Sequence, residues 1–580
     1  MFEQTMTDQI QAAEPRPLVE VHLPDGRVYT GPRGITVEKF LQNLPEWGDP
    51  PIVGAVINGE LRELTYPITM ESRVQPVTMA DADGARIYRR SLVFLLETAF
   101  EDLVPEAELT VDHSVSSGGY FCQVSGRLSF TQADLDLLDQ RMRELVKQDL
   151  PLIRKQVPLE EAIEYFQQKK QFDKVRLLRY RTKDHLVLYA IDGHLDYHHG
   201  YMVASTGYLQ WFQLGLEDQE GFVLCFPRRH AVKELLPMPN YPKLLNTFRQ
   251  YGRWLSRLGI ENTGALNDGI RSGRIREIIL VSEALHERHI AEIAEQFVNR
   301  EHQARIILIA GPSSSGKTTF SKRLAVQLVA QGVTPYALEM DNYFVDRDLT
   351  PKDENGVFDF ESLGALNRER LQLDLQRLIN GETVQLPHFD FKLGKSLPGD
   401  TVRLEKDQVI ILEGIHGLNP NLLPDLSTDQ TFRVYVSCLT QLNLDRYNRI
   451  STTDTRMLRR IVRDARERGY PAQVTIQRWE SVRRGEKRHI FPYQENADVM
   501  FNSALVYELS ALKPLAEPLL RQVPFGTPEY IEAKRLLAFI EWFLPLPVDL
   551  IPDNSIEREF IGGSILKEFQ LWDRKIQTVD

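Results

Sequence analysis

One octapeptide constrains this chain more than any other feature. Gly311-Pro-Ser-Ser-Ser-Gly316-Lys317-Thr318 fits the pattern G-x-x-x-x-G-K-[ST]. A compact apolar run, Ala304–Ala310, precedes it, and a helical stretch, Thr318–Gln331, follows. A buried strand that turns through a glycine-rich loop into a helix brings several backbone N–H groups onto one anion. The helix start adds its partial positive charge. On this reading Gly311, Ser313, Ser314, Ser315, Gly316 and Thr319 bind nucleotide phosphates. Lys317 reaches the β- and γ-phosphates, and Thr318 holds Mg2+. A merely structural Gly/Ser turn does not need this strand-and-helix setting.

The text after the loop alternates helices and strands. It reads as helix over 318–331, extended over 335–340, helix over 367–380, and extended over 408–412 and 431–436. Near-continuous apolar strands between helices mean a parallel sheet flanked by helices. In such sheets ligands gather at the carboxyl ends of strands. Two acids stand there. Asp341 ends the strand 335–340, placed to accept the proton of an attacking hydroxyl. Glu413 ends VIILEG, placed to share in the Mg2+ shell. A helix with Arg456, Arg459, Arg460, Arg463, Arg466 and Arg468 follows, against only Asp464 and Glu467 as local counter-charges. Arg456, Arg460 and Arg463 share a face, which suits a transferring phosphoryl group. Arg483, Arg484, Lys487 and Arg488 form a second cluster.

Composition bounds the alternatives. With 69 Lys and Arg against 81 Asp and Glu, the net charge of −12 argues against bulk binding of nucleic acid. Cys122, Cys225 and Cys438 lie far apart without metal-ligand spacing, as in a reducing, cytoplasmic protein. No apolar run approaches the roughly 18 residues of a membrane span. Phe539–Ile551 is apolar but broken by Pro545 and Pro547, and reads as core or as a homo-oligomer contact.

The stretch from about 305 to 523 resembles the uridine/cytidine kinase branch of the phosphoribulokinase and uridine kinase family. GPSSSGKT, DNYF, VFDFES, LPHFDF, VIILEGI, RRIVRDARERG and NADVMFNSAL occur in the family's order. The resemblance implies an α/β P-loop kinase that uses ATP and Mg2+. It makes Lys317, Arg460 and Arg463 catalytic, together with Asp341 as base for a nucleoside 5′-hydroxyl. Arg468 falls among the lid arginines that gather phosphates. Phe358, Asp359, Phe389, Arg460 and Gln477 fall at substrate positions, and Thr318 and Glu413 at the metal. Three departures stand out: Phe389 where the family has a base-contacting tyrosine, Gly394 where it has a base-reading histidine, and Tyr470 where it has a lid arginine. The losses imply a rebuilt base site, with uridine, cytidine or thymidine as candidate substrates.

The first half resembles the N-terminal part of threonyl-tRNA synthetases. VEVHLPDG and Ile57-Asn-Gly-Glu-Leu61 are similar to a β-grasp TGS domain (17–80). Residues 85–229, with Gln148–Leu152, Glu160–Ile163 and Ser205–Gly207, are similar to the α+β editing domain. The editing pattern pairs H-x-x-x-H with C-x-x-x-H, but the matching positions here are Arg90, Phe94, His198 and Met202. The resemblance therefore implies no editing, and His194, His198 and His199 read as polar loop residues. The remaining expectations are a disordered tail at 1–16, a helical connector at 230–303, the kinase domain at 304–523 and a helical segment at 524–580. Two alternatives stay open. One is a kinase for another hydroxyl substrate, such as a sugar phosphate or pantothenate-like acid. The other is an RNA-linked regulator that binds tRNA and uses ATP as a switch.

Overall fold

The computed structural model describes residues 14–569 apart from 116–117, 128, 219, 238–240, 301–303, 353–355, 357 and 427. Most of the expected tail at 1–16 therefore lies outside the described residues, as does Val357 of the VFDFES motif. The chain forms two compact units. The first holds the residues up to Leu109, Val124–Gln156 and Val187–Leu236; the second holds Thr110–Gln123, Val157–Leu186 and everything from Pro237.

In the first unit a five-stranded sheet runs in the spatial order Val28–Pro32, Leu18–His22, Ser72–Thr78, Ile52–Ile57, Glu60–Arg62. Asn58 and Gly59 turn the chain between the last two strands at φ 50° and 85°. Both central residues at positive φ is what a two-residue hairpin needs, which explains that dipeptide. Val21, Phe40, Ile52, Leu64 and Ile68 fill the core beneath the sheet. An amphipathic helix, Gln132–Gln148, is opened by a reciprocal cap between Thr131 and Asp134. Leu135, Leu138, Met142 and Leu145 are its buried face. Leu137 is exposed, because 100° per residue carries it off that face.

The second unit is built on one parallel sheet. Its main-chain elements are β1 (Ile306–Ala310), α1 (Lys317–Ala330), β2 (Thr334–Glu339), α2 (Arg368–Ile379), β3 (Val384–Asp390), β4 (Lys395–Val402), β5 (Gln408–Glu413), β6 (Thr431–Ser437), α3 (Thr452–Arg468), α4 (Ala472–His489), β7 (Val499–Asn502), α5 (Glu508–Arg521), α6 (Pro528–Ile540) and α7 (Arg558–Ile561). The sheet order is β2-β5-β1-β6-β7, with every neighbouring pair parallel. Ile306–Ala310 is buried at every position, which is why its text shows no alternation. Three helices, Pro242–Leu258, Thr263–Arg271 and Ile275–Val298, occupy the expected connector. β3 and β4 form a separate antiparallel hairpin, not foreseen from the text. Among the described residues beyond 524, the expected helical segment has one long helix, α6, and then mostly turns up to α7.

Candidate functional site

All strands of the sheet run the same way, so the segments after β1, β2, β5 and β7 emerge on one edge. That edge collects Gly311, Asp341, Glu413 and Ser503. The loop after β1 is shaped by close approach. A Cβ on Gly311 would stand 1.9 Å from the Val436 carbonyl oxygen, and one on Gly316 would stand 2.6 Å from Ile556 Cγ2. Gly316 (φ 84°) and Ser314 (φ 57°) both take left-handed backbone. The loop carbonyls are tied from outside. Pro312 O accepts from Lys317 Nζ (3.3 Å), Ser313 O from Arg456 Nε (2.8 Å) and Ser314 O from Arg459 Nη1 (3.5 Å). The Ser314 and Ser315 hydroxyls are buried without a hydrogen-bond partner among the described residues. Unused donors and a cradle that a single methyl would fill both fit a bound phosphate chain.

The metal side fits as well. Thr318 Oγ1 donates to Glu413 Oε2 at 3.0 Å, a hydroxyl and a carboxylate of the kind a hard cation takes. Glu413 is half-buried, and burial pushes its carboxyl up to about 7, with Lys317 acting the other way. Asp341 follows β2, and its side chain makes no hydrogen bond or ion pair among the described residues. It is open to solvent yet ringed by protein; that crowding raises its carboxyl above the usual range, while Lys317 and Arg468 lower it. Glu361, which the motif reading passed over, shares this field. Burial raises its carboxyl, Arg460 and Lys317 lower it, and Asp341 and Asp359 raise it. The signal for it was its place two residues after Asp359. Gly485 of α4 pins it, since a Cβ there would come within 2.5 Å of Glu361 Cβ.

The arginine helix α3 corrects the expectation drawn from local charge. Arg456 and Arg459 are fully buried and are neutralised by acids far away in sequence, Glu486 on α4 and Glu508 on α5. They hold the loop's carbonyls, so their face is internal and not an open phosphate-gathering face. Glu486 also accepts the Ser313 N–H at 3.1 Å. Asp464 alone takes the guanidinium groups of Arg460, Arg463 and Arg468 at 3.2, 3.1 and 3.4 Å. Arg460 is in addition within 2.8 Å of Ser313 Oγ, which brings it to the loop. The buried pair Arg456 and Arg459 is explained by partners distant in sequence, which a local charge count omits.

On the acceptor side the expected residues separate. Asp359 accepts the Glu361 N–H at 3.2 Å and lies 3.8 Å from His489 Nε2. His416, from the EGIH stretch, packs edge-on against His489 at 5.8 Å and is pushed down to about 4 by burial. Phe358 carries Lys352 Nζ 5.2 Å above its ring. Phe389 is buried among Phe344 and Phe391 at 5.6 and 5.1 Å. Gly394 (φ 68°) lies under Arg347, whose guanidinium carbon would be 2.8 Å from a Cβ there. Gln477 is exposed on α4, about half a turn round from Glu486, so the structure does not bring it to the loop.

In the first unit the four positions of the editing pattern lie together but are changed in kind. Phe94 packs at 5.1 Å on His198, Met202 is fully buried, and Arg90 Nη1 donates to Tyr201 O at 2.6 Å. His198 lies in irregular chain after the strand His194–Asp196, as expected, but it is buried, with Nε2 3.0 Å from Glu97 Oε2. His194 bridges Glu101 (3.2 Å) and Asp102 (2.8 Å), and Glu101 chiefly raises its pKa. Among the described residues the His/Asp/Glu group close enough to share an ion is Glu20, His22 and Glu71, elsewhere on the sheet.

Fold, loop and strand-end acids define a P-loop kinase domain. Residues 306–510 match the family model "Phosphoribulokinase / Uridine kinase family". The N-terminal region is similar to threonine–tRNA ligases. Identity is 33% over 198 residues with the enzyme of Paraburkholderia xenovorans, covering 34% of this chain and 31% of that one. It is 32% over 197 residues with that of Methylobacillus flagellatus, covering 33% and 31%. The chain thus spans about a third of the length of the curated relatives it matches. A solved structure described as a possible uridine kinase from Bacillus stearothermophilus aligns at 21% identity and a TM-score of 0.26, covering 37% of this chain and 98% of that one.

Proposed function

We propose that the second unit transfers the γ-phosphoryl group of ATP to the 5′-hydroxyl of a nucleoside. The observation that carries this reading is Asp341, a carboxylate without a hydrogen-bond or ion-pair partner among the described residues, beside the phosphate loop and in the field of Lys317. Asp341 accepts the hydroxyl proton as the oxygen attacks phosphorus, and the bond to the ADP oxygen breaks. Lys317 and the loop amides hold the phosphates, and Arg460 stands beside Ser313 to stabilise the moving charge. Thr318 and Glu413 are the residues that would hold Mg2+, which when bound neutralises phosphate charge. Asp359, with Phe358, receives the sugar. The test is steady-state ADP release with ATP, Mg2+ and a panel of uridine, cytidine, thymidine and purine nucleosides. Turnover with one of these is expected; none with any would remove the nucleoside assignment.

A second acceptor class is favoured by Arg347. Its Nη2 donates to Phe391 O at 2.7 Å, and its guanidinium covers Gly394. A fixed cation there suits an acceptor with a phosphate or carboxylate tail, so sugar phosphates and hydroxy acids belong in the same panel.

A further inference from the structure

Thr319, the third residue of α1, is buried, and it presents two donors beside the phosphate loop. Both meet one oxygen. Its N–H and its hydroxyl stand 3.2 and 2.9 Å from Glu559 Oε2. Glu559 arrives on α7, and the chain around it is docked on the loop and its helix. Arg466 Nη2 donates to Glu559 O at 2.8 Å, and Lys322 Nζ donates to Leu566 O and Lys567 O at 2.6 and 3.0 Å. Ile556 closes over Gly316, as the 2.6 Å approach shows.

Two carboxylates therefore sit on loop amides, and they differ. Glu486 on the Ser313 N–H is fully buried and compensated by Arg456 and Arg483, so it belongs to the scaffold. Glu559 is half-buried, and its carboxylate pairs with no cation among the described residues; Arg466 reaches only its carbonyl and pairs with Glu467. What holds the Glu559 charge is the Thr319 donor pair at the helix start. A phosphate oxygen needs the same two donors. Two anions cannot share them at hydrogen-bond distance without strong repulsion.

We infer that Glu559 is an internal competitor for nucleotide, occupying the Thr319 donors and leaving them when phosphate binds. The inference rests on the nucleotide-binding reading of the loop. It makes the apparent affinity the intrinsic affinity multiplied by the fraction of molecules with Glu559 released. Bound nucleotide in turn frees α7, so the segment couples the site to whatever else α7 contacts.

The experiment is equilibrium binding of fluorescent ADP to the full chain, with pyrophosphate as a competing probe. Wild type is compared with Glu559→Gln, which keeps the shape and loses the charge, and with Glu559→Ala. Both variants are expected to bind ADP and pyrophosphate tighter, on the order of fivefold to tenfold. Equal or weaker binding by Glu559→Gln, in a protein with wild-type thermal stability, overturns the competition. If Glu559→Gln unfolds early, unchanged affinity in folded Glu559→Ala does the same. If neither wild type nor variants bind ADP, the nucleotide reading of the loop falls with it.

Discussion

Replacing Asp341 by Asn separates chemistry from architecture more sharply than any other single change. The side chains are nearly isosteric, and the Asp341 carboxylate makes no hydrogen bond or ion pair among the described residues, so no contact is lost. A positioned general base contributes roughly 100- to 10,000-fold, so turnover should fall by at least about two decades. Nucleotide affinity should stay within about threefold, since binding energy resides in the loop. Stability should move the other way. The Asp341 carboxyl lies above its ordinary range because protein crowds it, so near neutral pH the folded state holds a penalised charge that the unfolded state does not. Acidification through the raised pKa relieves the penalty, whereas raising the pH restores it in full. Asp341→Asn is therefore expected to be at least as stable as wild type at pH 7.5, with the difference closing as the pH falls to 4. Coupled measurement of ADP release and thermal melts across that range would test both halves. Retention of more than about a tenth of wild-type turnover would remove the base role, and a lower melting temperature would show Asp341 to be structural.

Glu413, held up to about 7 by burial, must be charged to bind a cation, so the apparent Mg2+ affinity should weaken as pH drops below about 7. Titration of Mg2+-dependent nucleotide binding from pH 6 to 8 checks it, and Glu413→Gln should flatten the profile. Breaking the buried Arg459–Glu508 pair by Arg459→Met should cost about 3–5 kcal/mol, and adding Glu508→Gln should restore part of it. Denaturant unfolding of the cycle decides this, with strict additivity counting against a coupled pair. Gly485→Ala forces a methyl to within 2.5 Å of Glu361 Cβ and should cost about 1–3 kcal/mol or displace Glu361. The latter would show as a raised KM for the acceptor at near-constant nucleotide affinity.

The parts legible in the sequence were those set by neighbours in the chain. The buried strand before Gly311 and the strand-end acids each depend on a short window of text, and Thr318 does stand 3.0 Å from Glu413. What resisted reading was set by partners far away. Arg456 looked like an open cation because Glu486, thirty positions on, was invisible to a charge count along α3. Glu361 stands inside VFDFES without an assigned role and Glu559 lies outside the motifs; their place in the site comes from Gly485 and Thr319, which only the fold brings near. The β3–β4 hairpin escaped because Pro387, Pro398 and Gly399 interrupt the alternation that marks strands.

The interleaving of chain segments has a practical outcome for anyone dissecting this protein. Thr110–Gln123 and Val157–Leu186 precede the phosphate loop in sequence, yet they are part of the second unit's own body. Asp173 clamps Arg446 through both carboxylate oxygens, Lys174 is buried against Tyr447, and Asn443 Nδ2 donates to Val111 O at 3.1 Å. A cut just before the phosphate loop's own strand therefore does not yield the whole second unit. An expression boundary placed just before residue 304 would leave these surfaces bare, and inactivity of such a fragment would speak of missing walls, not of missing regulation.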